Sequence, residues 1–127
     1  MNTAICAAVI QYGQLLIVEK KNIWILPGGK PKLGENDFSC LRREVAEELS
    51  GTKIVVGNYY KFFKGITPHK KDELVAKVYF ASLDGLLGNP SNEINSFAWM
   101  RYDEKSRYAL SLITSDIVEA LHSDKYF

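Results

Sequence analysis

At 127 residues the chain has the length of one ordinary domain and is too short for two of normal size. Hydrophobic residues make up 46% and charged residues 24%, enough to bury a real core, which excludes disorder as the main state. Lys+Arg number 16 against 15 Asp+Glu, and a net charge of +1 argues against a general polyanion binder, so no nucleic-acid partner is expected.

Met1 to Ile10 has neither a basic leader nor a small-residue cleavage site, and no stretch approaches the ~18 apolar residues of a membrane span. A soluble, cytoplasmic protein with no membrane contact is expected. Ala4 to Ile10 is a continuous apolar run, consistent with a strand buried on both faces. Gln11-Tyr12-Gly13-Gln14 is a turn, and Leu15 to Glu19 completes a hairpin. Lys20-Lys21-Asn22 is a polar break before the apolar segment Ile23 to Leu26, and Pro27-Gly28-Gly29 is expected to end regular structure. From Asn36 the period changes. Phe38, Leu41, Val45 and Leu49 fall within about an 80° sector of a helix. Asn36 or Asp37 would cap its start, and Gly51 suits the left-handed position past its end.

Ile54 to Phe63 and Glu73 to Ser82 read as strands, joined by an exposed basic loop with Lys64, Pro68, His69, Lys70 and Lys71. Glu93 to Arg101 holds a last strand around Phe97 and Trp99. Leu110, Ile113, Ile117 and Leu121 mark a helix from about Ser106 to His122. Strands and helices interleave, which predicts one α/β domain over residues 1–127. Cys6 and Cys40 sit among apolar neighbours and read as reduced core residues.

The first helix carries a cost. Glu44, Glu47 and Glu48 cluster within about 100° of one another, and Glu44 and Glu48 form a like-charge i,i+4 pair. They also lie in the second half of the helix, where its dipole disfavours negative charge. A solvated acidic face is the ordinary explanation. The preceding Gly28-Gly29 shifts the balance, because glycines let the backbone approach closely and expose carbonyls. A cation of the Mg²⁺ kind takes hard oxygen ligands of this type. No phosphate-binding G-x4-G-K-[ST] is present around Gly28-Gly29-Lys30.

Gly29, Glu35 and then Arg43-Glu44-Val45-Ala46-Glu47-Glu48 stand at the spacing G-x5-E-x7-R-E-U-x-E-E, where U is apolar. This resembles the Nudix box of the MutT-like Nudix hydrolases, and Trp24 to Lys30 resembles the family's approach to it. The box departs at its end: Ser50 stands where glycine is usual and Gly51 where an apolar residue is usual, which predicts a shifted helix end and an altered turn.

The resemblance implies an α/β/α sandwich with a central mixed sheet, the box helix and a C-terminal helix. It implies hydrolysis of a nucleoside diphosphate linked to another moiety, using Mg²⁺ or Mn²⁺, by a monomer or homodimer acting on a small nucleotide. A nucleoside triphosphate cut to monophosphate and pyrophosphate is the first expectation. ADP-ribose or a nucleotide sugar is the second, suggested by Pro68. A non-catalytic nucleotide sensor is the rival class, and intact Glu44, Glu47 and Glu48 speak against it. The match makes Glu47, Glu48 and the Gly29 carbonyl metal ligands, and Glu44 a ligand or the base. Arg43 would orient Glu47 or a neighbouring carboxylate, and Glu35 would fix the loop or touch an outer metal. Asp72, Glu73 and Glu93 are alternative bases. Phosphate contacts would come from Lys30, with Lys32, Lys64, His69, Lys70 and Lys71 as further candidates. Base stacking would come from Trp24 or Tyr60, with Tyr12 and Phe62 behind them.

Overall fold

The computed structural model describes residues 2–67 and 71–127, so Pro68, His69 and Lys70 of the basic loop lie outside the described residues. Strand β1 (Asn2–Gln11) turns directly into β2 (Gln14–Lys20), with Ile10 opposite Leu15. Tyr12 and Gly13 both take left-handed φ, as a two-residue hairpin requires. Lys21 and Asn22 do the same between β2 and β3 (Ile23–Ile25).

Pro27-Gly28-Gly29 does not end regular structure. Gly28–Gly29 is a two-residue strand, β4, paired antiparallel with Ile5 and Cys6 of β1. Helix α1 (Asp37–Glu48) follows, then the long strands β5 (Ile54–Ile66) and β6 (Glu73–Leu83), and β7 (Ser96–Arg101). A short 3-10 helix at Tyr102–Arg107 precedes helix α2 (Leu112–Ser123).

The sheet runs in the order β3-β2-β1-β6-β5, with β4 added on β1 and β7 on β2. β1 lies parallel to β6 while the other pairs are antiparallel, so the sheet is mixed, as expected. Successive strand residues face opposite sides. Ile5, Ala7, Val9, Leu16 and Val18 pack with Cys40, Leu41, Val45 and Leu49 of the α1 region. Ala8, Leu15, Ile17 and Val78 pack on the other face with Ile113, Ile117, Val118 and Leu121 of α2. The result is the expected α/β/α sandwich.

The C-terminal helix begins later than its periodicity suggests. Trp24 N–H donates to the Ala109 carbonyl and Ser111 N–H to the Trp24 carbonyl, so the chain must stay extended beside β3. The helix starts only when Ser111 caps it, accepting the Thr114 N–H. Leu110 is thus a bridge partner of Trp24 and not a helical residue. The last strand likewise begins at Ser96 rather than Glu93. Among the described residues, no helix is long and apolar enough to cross a membrane.

Candidate active site

Asn36 caps α1, its side-chain oxygen accepting the Ser39 N–H at 2.8 Å. Buried Cys40, Leu41 and Val45 press the helix onto the sheet. That contact turns the acidic face of its second half towards β4.

Arg43 is the hub of this face. Its Nε and Nη2 donate to the two carboxylate oxygens of Glu35 at 2.6 and 2.8 Å. Its Nη1 donates to Glu44 at 2.8 Å and to Glu47 at 3.2 Å, and Nη2 also reaches the Lys30 carbonyl. The expected role for Arg43 at Glu47 is therefore one part of a larger arrangement. The fork on Glu35, with the Lys32 N–H at 2.7 Å, holds that carboxyl down at about 2. Glu35 fixes the loop between β4 and α1.

Glu48 lies deeper, only 9% exposed. The Gly28 N–H donates to its Oε1 at 2.9 Å. Burial pushes its carboxyl up to about 8, with the neighbouring charges of Glu44 and Glu47 adding to the rise and the Gly28 bond and Lys20 opposing it. Gly28 is required by backbone contact, and Gly29 leaves room for the Glu44 carboxylate. A side chain on Gly28 would run into the Ile5 carbonyl, and one on Gly29 into the Glu44 carboxylate. Cys40 Sγ lies 3.6 Å from the Gly29 carbonyl oxygen.

These groups form one end of a cavity of about 890 Å³. Gly29, Lys30, Glu44, Glu47 and Glu48 line it together, with Lys20, Lys21, Asn92 and Glu93. The other end is aliphatic, built by Ala4, Leu26, Leu74, Ile113 and Ile117, with Cys6, Ser111 and Thr114 supplying polar atoms. Burial pushes the Cys6 thiol up to about 12, so it stays protonated.

Other sequence candidates are placed elsewhere. Trp24 packs edge-on against Tyr108, and Tyr60 packs among Phe63, Phe80 and Tyr126 while donating to Asp124; neither lines the cavity. Tyr12 and Phe62 are exposed side chains outside it. Of the alternative bases, Glu93 lines the cavity, and Asp72 and Glu73 do not. Lys32, Lys64 and Lys71 are not among the lining residues. Cys6, Lys20, Lys21, Asn92 and Thr114 escaped sequence reasoning. Lys20 and Lys21 carried a signal in the polar break Lys20-Lys21-Asn22, whereas Thr114 lay beside apolar positions that the helical pattern assigns to core.

The donor set suits a divalent cation. A buried carboxylate whose charge is disfavoured sits beside two more carboxylates and a glycine carbonyl, all hard oxygens. Among the described residues no group of three or more acidic, His or Cys side chains is arranged to hold a metal ion by itself, and Glu44 and Glu47 turn oxygens to Arg43. A Mg²⁺ site needs only one or two carboxylates, its shell being completed by water and substrate phosphate.

The NUDIX domain family profile matches residues 2–121. The 8-oxo-dGTP diphosphatase of Buchnera aphidicola subsp. Acyrthosiphon pisum (strain APS) is 34% identical over 103 residues, covering 80% of this chain and 79% of that protein. The NUDIX hydrolase from Nitrosomonas europaea superposes with a TM-score of 0.84 at 18% identity, covering 98% of this chain and 90% of that one. The MutT protein from Methanosarcina mazei Go1 gives 0.82 at 19% identity, covering 97% and 94%. These two likenesses show the fold. With a box that binds Arg43 to Glu35, Glu44 and Glu47, and a family match spanning nearly the whole chain, the protein belongs to the NUDIX domain family and is a Nudix hydrolase.

Proposed function

We propose that the enzyme cleaves a nucleoside triphosphate to the monophosphate and pyrophosphate, with Mg²⁺ or Mn²⁺ held by Glu47, Glu48 and the Gly29 carbonyl. The observation that carries this reading is the two-ended cavity, acidic and lysine-rimmed at one end and aliphatic at the other. Phosphates belong at the first end and the base at the second. When bound, the cation neutralises phosphate charge and acidifies water.

The chain's own groups do the rest. Arg43 orients Glu44 and Glu47 so that their carboxylates need no reorganisation as the reaction proceeds. Glu44 serves as a further ligand or takes the proton of the attacking water. Lys20, Lys21 and Lys30 supply charge-assisted contacts to phosphate oxygens. The aliphatic end excludes water from the base. There, Ser111 and Thr114 share one hydrogen bond at 2.8 Å, so one hydroxyl proton remains to meet an acceptor on the base edge. With Trp24 and Tyr60 outside the cavity, aliphatic contact replaces aromatic stacking as the way the base is held.

The relative from Buchnera is named for 8-oxo-dGTP, which is the first triphosphate to test. The assay follows pyrophosphate and phosphate separately across triphosphates, oxidised guanine triphosphates, ADP-ribose and nucleotide sugars, with and without Mg²⁺. We expect pyrophosphate release from a triphosphate. Glu47→Gln and Glu48→Gln should each lower the rate by about a hundredfold or more while leaving the circular dichroism spectrum unchanged. Wild-type rates in both variants would sink the metal assignment, and turnover of ADP-ribose alone would replace the substrate.

A further inference from the structure

Helix α1 ends in an awkward way for a helix that carries acid. Its last turn holds no basic side chain, and Glu44, Glu47 and Glu48 crowd its negative end. The last carbonyls of any helix lack partners within it. Here one residue of the segment before β7 meets them. The Ser91 N–H donates to the Glu48 carbonyl at 2.9 Å, and the Ser91 hydroxyl donates to the Glu47 carbonyl. The same hydroxyl oxygen accepts the Ser50 N–H at 3.2 Å. The two carbonyls so held belong to the residues whose carboxylates line the acidic end of the cavity.

Ser91 is itself fixed in place. Leu49 and Pro90 form an antiparallel bridge, and the Gly88 N–H donates to Thr52 Oγ1 at 2.7 Å. A side chain on Gly88 would collide with the Leu49 and Ser50 carbonyl oxygens, so glycine is what lets this strap lie against the helix end. On the other side, the Ser91 carbonyl accepts the Ile94 N–H at 3.1 Å. Between them, Asn92, in the left-handed region, and Glu93 line the cavity.

We propose that Ser91 is a positioning residue for the cation site. By holding the Glu47 and Glu48 carbonyls it sets the direction of the last turn of α1, and with it the aim of two ligand carboxylates. It also ties that turn to the part of the rim formed by Asn92 and Glu93. Ser91 touches neither cation nor substrate in this role, and the role rests on the metal reading proposed above.

The test is a titration with Mn²⁺ alone, free ion being followed by electron paramagnetic resonance. It compares wild type, Ser91→Ala, Ser91→Thr and Asn36→Ala, the last removing the cap at the far end of the same helix. Ser91→Ala should weaken Mn²⁺ binding about tenfold, and Ser91→Thr, which keeps the hydroxyl, should restore most of it. Asn36→Ala should lower Tm by roughly 2–8 °C with Mn²⁺ affinity unchanged. Unchanged affinity in Ser91→Ala would overturn the proposal, as would equal weakening in Asn36→Ala. A second measurement uses the wild type. Because coupling is reciprocal, Mn²⁺ should slow amide exchange at Ser50 and Ser91, and exchange there that ignores Mn²⁺ would overturn the proposal even if Ser91→Ala fails to fold. Wild type that binds no Mn²⁺ would sink the metal reading together with this one, whereas binding unaffected by Ser91→Ala would sink the role of Ser91 alone.

Discussion

Arg43 donates to three carboxylates and a carbonyl, a task that needs a planar fork and not merely a positive charge. Lysine at this position would keep the charge and lose the simultaneous grip on Glu35 and on Glu44 with Glu47. We therefore expect Arg43→Lys to lower kcat about 10–100-fold, the range typical of a group that orients metal ligands. Steady-state kinetics at saturating Mg²⁺ checks this; a kcat within a factor of two of wild type would show that the fork is dispensable. The i,i+4 spacing made the Arg43–Glu47 pair legible in the sequence. Family resemblance singled out Glu35, to fix the loop or touch an outer metal, but the fork with Arg43 was not legible, since Glu35 lies in a loop whose path no periodicity describes.

Strand β4 is two glycines long, yet it fixes the distance between β1 and the acidic helix. Gly28 has φ +144° and sits over the Ile5 carbonyl, while its N–H holds Glu48. Gly28→Ala combines an unfavourable backbone conformation with a backbone clash, and a loss of about 2–4 kcal/mol is expected from the midpoint of urea unfolding. A loss below 0.5 kcal/mol would mean that β4 yields easily. Hydrophobic patterning could not reveal this strand, because glycines have no side chains to alternate. The start of α2 was misread for a related reason: Leu110 falls in helical phase with Ile113 and Ile117, but its backbone is committed to pairing beside Trp24. The left-handed glycine past the end of α1 was legible: Gly51 takes φ +76° and its N–H bonds back to the Ala46 carbonyl. Its partner strap around Ser91 lies 41 residues away in sequence and was not.

Across the whole molecule, ion pairs tie the helices to their surroundings. Burial pushes the Asp37 carboxyl up, but hydrogen bonds from Lys77 and Tyr79 of β6 outweigh it and hold the group below its ordinary 3.8. The Lys105 hydrogen bond, with help from Tyr102, likewise holds Glu119 of α2 below 4.5. Both folded values lie below those of the unfolded chain. These pairs therefore stabilise the fold above about 3.8 and 4.5, and their contribution is lost as pH falls through the lowered folded values. Asp37→Asn should show a shallower decline in urea midpoint between pH 5 and pH 3 than wild type; parallel profiles would remove Asp37 from the acid response. At this scale Gly29, Lys30, Glu44, Glu47 and Glu48 of the acidic half of the cavity were readable, because they sit close together in sequence, whereas Lys20, Lys21 and Asn92 of the same half come from other segments and were not. The aliphatic half was not, because β1, β6 and α2 each contribute residues whose patterns say only that they are buried. That division has a consequence for descent with modification. On the function proposed above, bond breaking rests mainly on the segment from Gly29 to Glu48 and choice of nucleotide on others, so substitutions near the start of α2 should alter which substrate is accepted without disturbing how it is cut. Such a protein would change its diet more easily than its chemistry.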